Sequence, residues 1–236
     1  MSLIGSTNEE KIWNYLKAKG LPDCGIAGLM GNLYAESCLI PTNLQNSYEK
    51  SLSFTDAAYT AAVDNGTYQN FVKDSAGYGL AQWTYWSRKK NLLDFAKKKG
   101  KSIGDLEMQL DFLWNELQGY TAVISTLKTA KTVRVASDSV LLNFERPADQ
   151  SDAAKARRAG FGKKFYDKYA TDSTAQKGES GVSKCYASAV IAVAIGELGY
   201  VEKATNSQLD NKTANPGRAN WTKYARDFDD TATKGE

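Results

Sequence analysis

The first candidate for chemistry in the sequence is Glu36, a carboxylic acid that ends an apolar helical stripe. Apolar side chains recur at helical spacing between Ile26 and Leu33, and Glu36 continues the same face. Partial burial and the negative end of a helix dipole both favour a protonated carboxyl group at this position. Such a group can act as a general acid. The alternative for an isolated glutamate is a side chain that points into solvent or caps a neighbouring helix.

The absence of histidine limits the chemistry that the chain can perform. None of the 236 residues is a histidine, which excludes Ser-His and Cys-His catalytic pairs and zinc sites that contain histidine. Acid and base roles therefore fall to carboxylates, tyrosine or lysine. The cysteines Cys24, Cys38 and Cys185 lack the spacing of metal ligands and are expected to be buried free thiols. We expect neither a metal nor a cofactor.

Charge and hydropathy restrict the partners of the chain. A net charge of +3 is too small to indicate nucleic-acid binding, but it suits weak attraction to an anionic polymer such as a bacterial wall. The basic runs 88–90 and 97–99 are interpreted as a solvated helix face. The N-terminus shows no signal peptide, and the apolar stretch 190–195 is too short to cross a bilayer. No membrane insertion is therefore expected.

The hydrophobic periodicity predicts a mainly α-helical protein. The first helix begins at Thr7, and Asp23 caps the second helix, which carries Glu36. Five more helices are predicted, at residues 87–99, 106–117, 120–127, 133–145 and 153–169. Residues 41–83 are polar and glycine-rich, with short β-like runs at 68–72 and 78–83. This segment is expected to form a small β-containing wall of a cleft.

The C-terminal part of the sequence differs in composition. Residues 171–183 are almost free of apolar side chains and are predicted to be a linker. A new unit is expected at 184–236, where a short apolar helix precedes a polar stretch. So few residues make a thin core, so this segment is interpreted as an incomplete domain.

Two motifs carry a resemblance to a known family. They are Gly-Leu-Met-Gly-Asn-Leu-Tyr-Ala-Glu-Ser at 28–37 and Asp-Ser-Ala-Gly-Tyr-Gly-Leu-Ala-Gln-Trp-Thr at 74–84. In this order they resemble the phage tail lysozymes, peptidoglycan muramidases with a lysozyme-like fold. The resemblance covers residues 7–170 and implies that Glu36 is the catalytic acid. It also implies that residues 77–83 line the sugar cleft.

A muramidase needs a second anion or an activated water on the opposite face of the sugar. Asp74 is the preferred second group, because the glycine-rich turn that follows could hold it beside the cleft. The alternative is an aspartate that caps this turn. Asp56 and Asp64 are further candidates, although the turn at 64–66 favours a structural role for Asp64. Without a second carboxylate, attack by the 6-hydroxyl of the substrate would make the protein a lytic transglycosylase.

Sugar binding requires flat apolar faces beside amide and hydroxyl groups. Tyr78, Gln82, Trp83 and Thr84 supply this mixture in one stretch, with Tyr85 next to it. Tyr78 and Gln82 are expected to face the substrate and Trp83 to be partly buried. The alternative is that Trp83 and Trp86 pack in the core.

Two later segments also resemble family features. Residues 144–149 look like a loop of the lysozyme family, in which Glu145 or Arg146 either touches the cleft or forms an interhelical ion pair. Residues 184–236 look like the start of a CHAP-type amidase or endopeptidase, a family that needs a cysteine nucleophile and a histidine base. Because histidine is absent, Cys185 is a poor nucleophile candidate and this unit is expected to be inactive.

The sequence therefore predicts a muramidase that cleaves bacterial peptidoglycan, from a phage or prophage lysin or a tail tip. The alternatives are a lytic transglycosylase and a non-catalytic wall-binding tail protein. The resemblance implies synthesis in the bacterial host cytoplasm, with action on the wall after holin-type release or as a component of the virion. Other phage tail or lysin components are expected partners.

Overall fold

The computed structural model describes residues 3–170 and 200–218. The chain divides into two compact units, Met1–Gln176 and Lys177–Glu236. The described part of the first unit holds nine α-helices, and a π-helical turn at Leu141–Glu145 follows the eighth. The helices are α1 (Asn8–Ala18), α2 (Asp23–Ser37), α3 (Asn46–Leu52), α4 (Asp56–Asp64), α5 (Trp86–Lys99), α6 (Leu106–Gln118), α7 (Thr121–Thr129), α8 (Val133–Val140) and α9 (Asp152–Tyr169). The mainly α-helical class is confirmed.

The start of α1 follows its sequence signal, whereas the start of α2 differs from the prediction. Thr7 caps α1 in a capping box, because its hydroxyl accepts from the Glu10 backbone and the Glu10 carboxylate accepts from the Thr7 backbone. Asp23 is the first residue of α2 and not its cap. Pro22 holds the cap position without a side-chain hydrogen bond, and the Asp23 carboxylate pairs with Lys17.

Helix α2 lies at the centre of the unit and packs against α1, α7, α8 and α9. Its glycines allow these helices to approach closely. A Cβ atom on Gly28 would lie 2.5 Å from the Ala136 side chain, and one on Gly31 would lie 2.4 Å from the Arg158 carbonyl oxygen. The missing side chain at Gly31 therefore brings the backbone of α9 against α2 at Arg158, a residue of the functional site.

The segment between α2 and α5 is more helical than the sequence suggested. Two short helices, α3 and α4, occupy much of it. A β-like run was expected at 68–72, but residues 68–70 have no regular structure and a turn begins at Phe71. In the expected β-like run at 78–83, one isolated antiparallel bridge joins Tyr78 to Trp83. A second bridge joins Tyr78 to Leu44. Over the described ranges, β structure is limited to such isolated bridges.

The end of α8 also departs from the predicted single helix at 133–145. The α-helix stops at Val140 and continues as the wider π-helical turn. Arg146 then terminates the turn with a left-handed backbone, φ 49°. Turns of this type are frequent at functional sites, and this one ends at Glu145.

In the second unit, residues 200–218 fold around a buried lysine. The Lys203 ammonium donates to the carbonyl oxygens of Asn211 and Ala214, both at 2.6 Å, and of Lys212 at 3.1 Å. An antiparallel bridge joins Lys203 to Pro216. The predicted linker and Cys185 lie outside the described residues. Within the described ranges, no helix combines the length and the apolar character that a membrane span requires.

Candidate active site

Glu36 lies in the last turn of α2 and forms an ion pair with α9. Its Oε1 atom is 2.6 Å from Nη2 of Arg158, whose side chain is 7% exposed while that of Glu36 keeps 19% exposure. Arg158 Nη1 lies 3.4 Å from the Asn32 amide oxygen on α2. The guanidinium therefore orients the acid, and the Glu36 side chain remains partly exposed to solvent.

A second acid, Glu145, approaches the same guanidinium from the π-helical turn. Its Oε1 atom is inaccessible to solvent and has no hydrogen-bond partner, and the same is true of Arg158 Nε. Burial raises the pKa of Glu145 to about 8. The negative charge of Glu36 acts in the same direction, and the Arg88 and Arg158 charges oppose it. At neutral pH, Glu145 is therefore a neutral carboxylic acid.

The next ion pair connects this region to the glycine-rich motif. Arg88 on α5 donates from Nε and Nη2 to both oxygens of Glu116 on α6, at 2.7 and 2.8 Å. The Trp83 indole donates to the same carboxylate at 2.9 Å. The Arg88 guanidinium also stacks on the Phe144 ring, 4.9 Å from its centroid.

We call these five charged side chains the acid–guanidinium cluster: Glu36, Glu116, Glu145, Arg88 and Arg158. Three carboxyl groups face two permanently charged guanidiniums. The Oε1 atom of Glu145 is buried without a hydrogen-bond partner, and a neutral acid loses less on desolvation than a carboxylate does. Glu145 therefore keeps its proton near neutral pH.

The two sequence motifs meet at Ser37 and Leu80. The Ser37 hydroxyl, one residue after the acid, lies 2.9 Å from the Leu80 carbonyl oxygen. The Leu80 backbone N–H donates to the buried Gln109 side chain at 2.9 Å. Gly79 has φ 77°, and a Cβ there would lie 2.7 Å from the Gln109 amide oxygen. Only glycine fits this turn, which places the loop against the end of α2.

Gln82 and Thr84 lie in this loop, at its partly exposed end. Gln82 has a left-handed backbone, φ 42°. Its amide nitrogen donates to the Asn43 carbonyl and side-chain oxygens at 3.1 and 2.9 Å. Thr84 is exposed, and its hydroxyl donates to the Gln82 carbonyl at 2.8 Å. Both residues border solvent, as a contact with a sugar would require.

Tyr78 and Trp83 differ from the expected arrangement because each is 0% exposed. The Tyr78 hydroxyl lies 2.6 Å from the Thr60 hydroxyl, and its ring packs against Tyr59 and Phe71. Trp83 is fully rather than partly buried. In this structure neither ring is available to a sugar, and the two residues instead hold the loop in place.

Asp74 lies in a buried ion pair, which does not fit its expected role as the second catalytic group. Its side chain is 2% exposed and its Oδ1 atom is 2.5 Å from the Lys89 ammonium. Tyr59 and Tyr68 donate to Oδ2 at 2.5 and 3.1 Å, and the Ala76 backbone donates to Oδ1 at 3.0 Å. The prediction that residues 88–90 form a solvated helix face is wrong for Lys89. Its side chain is 0% exposed, and burial lowers its pKa.

The other two aspartates considered from the sequence also hold the backbone. Asp56 accepts from the Leu44 backbone at 2.8 Å. Asp64 accepts from the Ser102 hydroxyl at 2.5 Å and from the Ile103 backbone at 2.9 Å. Asp64 therefore has the structural role that its turn signal favoured.

Sequence reasoning missed the ion-pair partner of Glu36, and its alternative of a core position is wrong for Trp86. Arg158 received no role, although it lies on the buried face of α9 with Ala154 and Gly162. Tyr85 and Trp86 are exposed by 64% and 55%, with ring centroids 6.0 Å apart. Trp86 is therefore not a core residue, and the pair forms an apolar surface directly after Thr84.

Two cysteines lie in the part of the chain that the structure describes. Cys24 and Cys38 are free thiols and are only partly buried. In the part of the chain that the structure describes, His, Cys, Asp and Glu side chains form no group of three or more that could hold a metal ion.

The first unit is a helical domain in which the central helix ends at a partly exposed acid and lies against a glycine-rich loop. The sequence matches the phage tail lysozyme family over residues 7–169, and the chain belongs to this family. It is therefore a lysozyme-like protein, of a family that comprises cell-wall hydrolases and tail proteins. The match ends at residue 169 and lends no support to the CHAP-type resemblance expected for residues 184–236.

One relative is a phage morphogenesis protein. Morphogenesis protein 1 of Bacillus phage B103 is 25% identical over 165 residues, which cover 66% of this chain and 38% of that protein. The chain thus spans well under half the length of this relative.

Proposed function

We propose that the first unit is a muramidase that cleaves the bond between N-acetylmuramic acid and N-acetylglucosamine in peptidoglycan, with Glu36 as the general acid. The observation that carries this proposal is the position of Glu36. Its side chain is partly exposed and is oriented by Arg158, and the next residue, Ser37, contacts the glycine-rich loop at Leu80. Family membership supports peptidoglycan as the substrate class.

In the proposed reaction, Glu36 gives its proton to the glycosidic oxygen while the bond from that oxygen to the sugar ring breaks. Positive charge develops on the ring carbon and ring oxygen. The carboxylate that Glu36 becomes is then stabilised by the Arg158 guanidinium at 2.6 Å. Water adds to the ring carbon and returns a proton to Glu36, which restores the acid.

One observation favours a lytic transglycosylase as the second candidate. The aspartates expected to activate water, namely Asp56, Asp64 and Asp74, are all engaged in structural contacts. Without a nearby base for water, the 6-hydroxyl of the muramyl sugar would attack the ring carbon. The product would then be an anhydro sugar that lacks one water.

For the glycan itself, we propose a binding surface at the exposed end of the loop. A pyranose ring has an apolar face and a polar rim, so it pairs with an aromatic side chain and with neighbouring amide or hydroxyl groups. Tyr85 and Trp86 offer the aromatic faces, while Gln82 and Thr84 offer the polar groups.

The similarity to a phage morphogenesis protein supports a role in phage morphogenesis, and family membership supports action on the cell wall. We propose that the chain acts on the wall as part of a phage tail or lysis apparatus, alongside other phage components. This proposal concerns the unit that matches the family.

The test is mass spectrometry of fragments released from purified peptidoglycan by the wild type and by Glu36→Gln. Reducing muramyl ends that disappear with Glu36→Gln would support a muramidase with Glu36 as acid. Anhydro ends would identify a transglycosylase, and activity that survives the substitution would remove Glu36 from the reaction. Glu107→Gln is the matched control, because Glu107 lies on α6 in the groove against α1.

A further inference from the structure

We propose that Glu145 is a positioning residue of the active site: as a neutral carboxylic acid it leaves the Arg158 guanidinium to Glu36. This inference rests on the proposed function of Glu36. It assigns Glu145 no contact with the substrate. The role is to keep a competing negative charge away from the group that orients the acid.

The backbone around Glu145 is shaped to place this side chain. Helix α8 widens into the π-helical turn at Leu141–Glu145, and Arg146 reverses the chain in a left-handed conformation at φ 49°. Both features are costly for non-glycine residues and persist where the surrounding structure requires them. Together they turn the Glu145 carboxyl group inward, while Arg146 is exposed.

The contacts of Arg158 indicate what a neutral Glu145 preserves, namely the ion pair between Arg158 and Glu36. Arg158 donates through Nη2 to Glu36 and lies against Asn32 through Nη1, but its Nε has no partner. Glu145 Oε1 is also buried without a partner. An ionised Glu145 would attract the unpaired Nε–H and draw the guanidinium away from Glu36, because a buried carboxylate needs a charged partner.

Charged groups on four helices act on Glu145. Glu36 on α2 and Glu116 on α6 repel a negative charge there, while Arg88 on α5 and Arg158 on α9 attract one. Arg88 is already committed to Glu116 by two hydrogen bonds. Of these two guanidiniums, Arg158 is therefore the one that could pair with either Glu36 or Glu145. It pairs with Glu36 alone as long as Glu145 keeps its proton.

The proton on Glu145 can be observed without any activity measurement. In wild-type protein with ¹³C-labelled glutamate carboxyl groups, one resonance should titrate with a pKa of about 8. The same resonance should be absent from Glu145→Gln. A Glu145 resonance that titrates near the ordinary glutamate pKa of about 4.3 would overturn the proposal.

The positioning role is tested by the ratio of kcat for Glu145→Gln to kcat for the wild type across pH. Glutamine mimics the neutral acid permanently, so the ratio should rise several-fold as the pH passes from neutral to about 9. Dividing the two profiles removes the pH effects that the two proteins have in common. A ratio that stays flat would overturn the proposal, and so would a folded Glu145→Gln that is inactive at every pH, since Glu145 would then be a reacting group.

The failure of this inference and the failure of the proposed function are separable. If Glu36→Gln keeps full activity, the proposed function fails, whatever the carboxyl titration shows. If Glu36→Gln is inactive and Glu145 is ionised at neutral pH, only the inference fails. Glu107→Gln serves again as the control, because its ratio to the wild type should not change with pH.

Discussion

The Oε1 atom of Glu36 lies 2.6 Å from Nη2 of Arg158. A side chain of α9 therefore holds the candidate acid at the end of α2. This contact is possible because Gly31 leaves no side chain between α2 and the α9 backbone at Arg158. The position of the acid therefore depends on how the two helices pack. Variants of the guanidinium, and not only of the acid, should change the reaction.

Arg158→Lys should lower kcat by about 10- to 100-fold, because one ammonium group cannot reach Asn32 and Glu36 in the fixed geometry of a guanidinium. KM should change much less, since Arg158 is buried and does not line a surface for the glycan. Steady-state kinetics on soluble muropeptide chains would measure both constants. The control is Arg134→Lys, an exposed i,i+4 pair with Asp138 on α8. Equal losses in the two variants would argue against a positioning role.

Asp74→Asn should destabilise the fold by about 3–5 kcal/mol, because it leaves the buried Lys89 ammonium without its anion. Urea unfolding would measure the loss. Adding Lys89→Met should restore part of it, because the unpaired charge is then removed as well. If Asp74→Asn is as stable as the wild type but inactive, Asp74 takes part in the reaction and the structural assignment is wrong.

Glu145→Gln should stabilise the protein increasingly with pH. The pKa of Glu145 in the fold is raised to about 8, so the folded protein holds a proton that the unfolded chain releases above its ordinary pKa. Wild-type stability from this group is therefore complete below about pH 4 and is lost as the pH rises towards 8. The free energy of unfolding of Glu145→Gln should exceed that of the wild type by roughly 2–4 kcal/mol near pH 8 and match it near pH 4. Urea unfolding at both pH values measures the difference in free energy of unfolding between the two proteins. A difference that does not change with pH would contradict the prediction.

Tyr85→Ala and Trp86→Ala should weaken glycan binding without weakening the fold. Both side chains are more than half exposed, so the free energy of unfolding should change by no more than about 0.5 kcal/mol. Loss of one stacked ring should cost about 0.5–1.5 kcal/mol of binding, or roughly two- to tenfold in KM. Val135→Ala, at an exposed apolar residue of α8, is the control. An unchanged KM in both variants would place the glycan elsewhere.

Helices that carry a strong local signal could be predicted from the sequence. The capping box at Thr7 marks the start of α1, and the left-handed backbone of Gly20 follows its end. Both signals depend only on residues close together in the chain. Helices α3 and α4 were missed because they are too short, at seven and nine residues, to show a long apolar stripe. Their formation depends on contacts such as that between Asp56 and the Leu44 backbone.

The charged residues show the limit of sequence reasoning most clearly. Lys89 recurs on the same face of α5 as Leu92 and Ala96, and Arg158 on the same face of α9 as Ala154 and Gly162. Helical spacing could thus have indicated that both cations are buried. It could not have named their partners, because periodicity identifies the inward face of a helix and carries no information about which helix lies opposite.

The sequence by itself determined the helical class, the position of Glu36 at the end of its helix and the glycine turn before Trp83, since each depends on residues close together in the chain. Only the tertiary structure decided that Asp74 pairs with Lys89 and that Arg158 pairs with Glu36 while Glu145 is buried in the same cluster. Ion pairs in a core must be matched across elements that are distant in sequence, because a buried charge is tolerated only where packing brings its counter-charge.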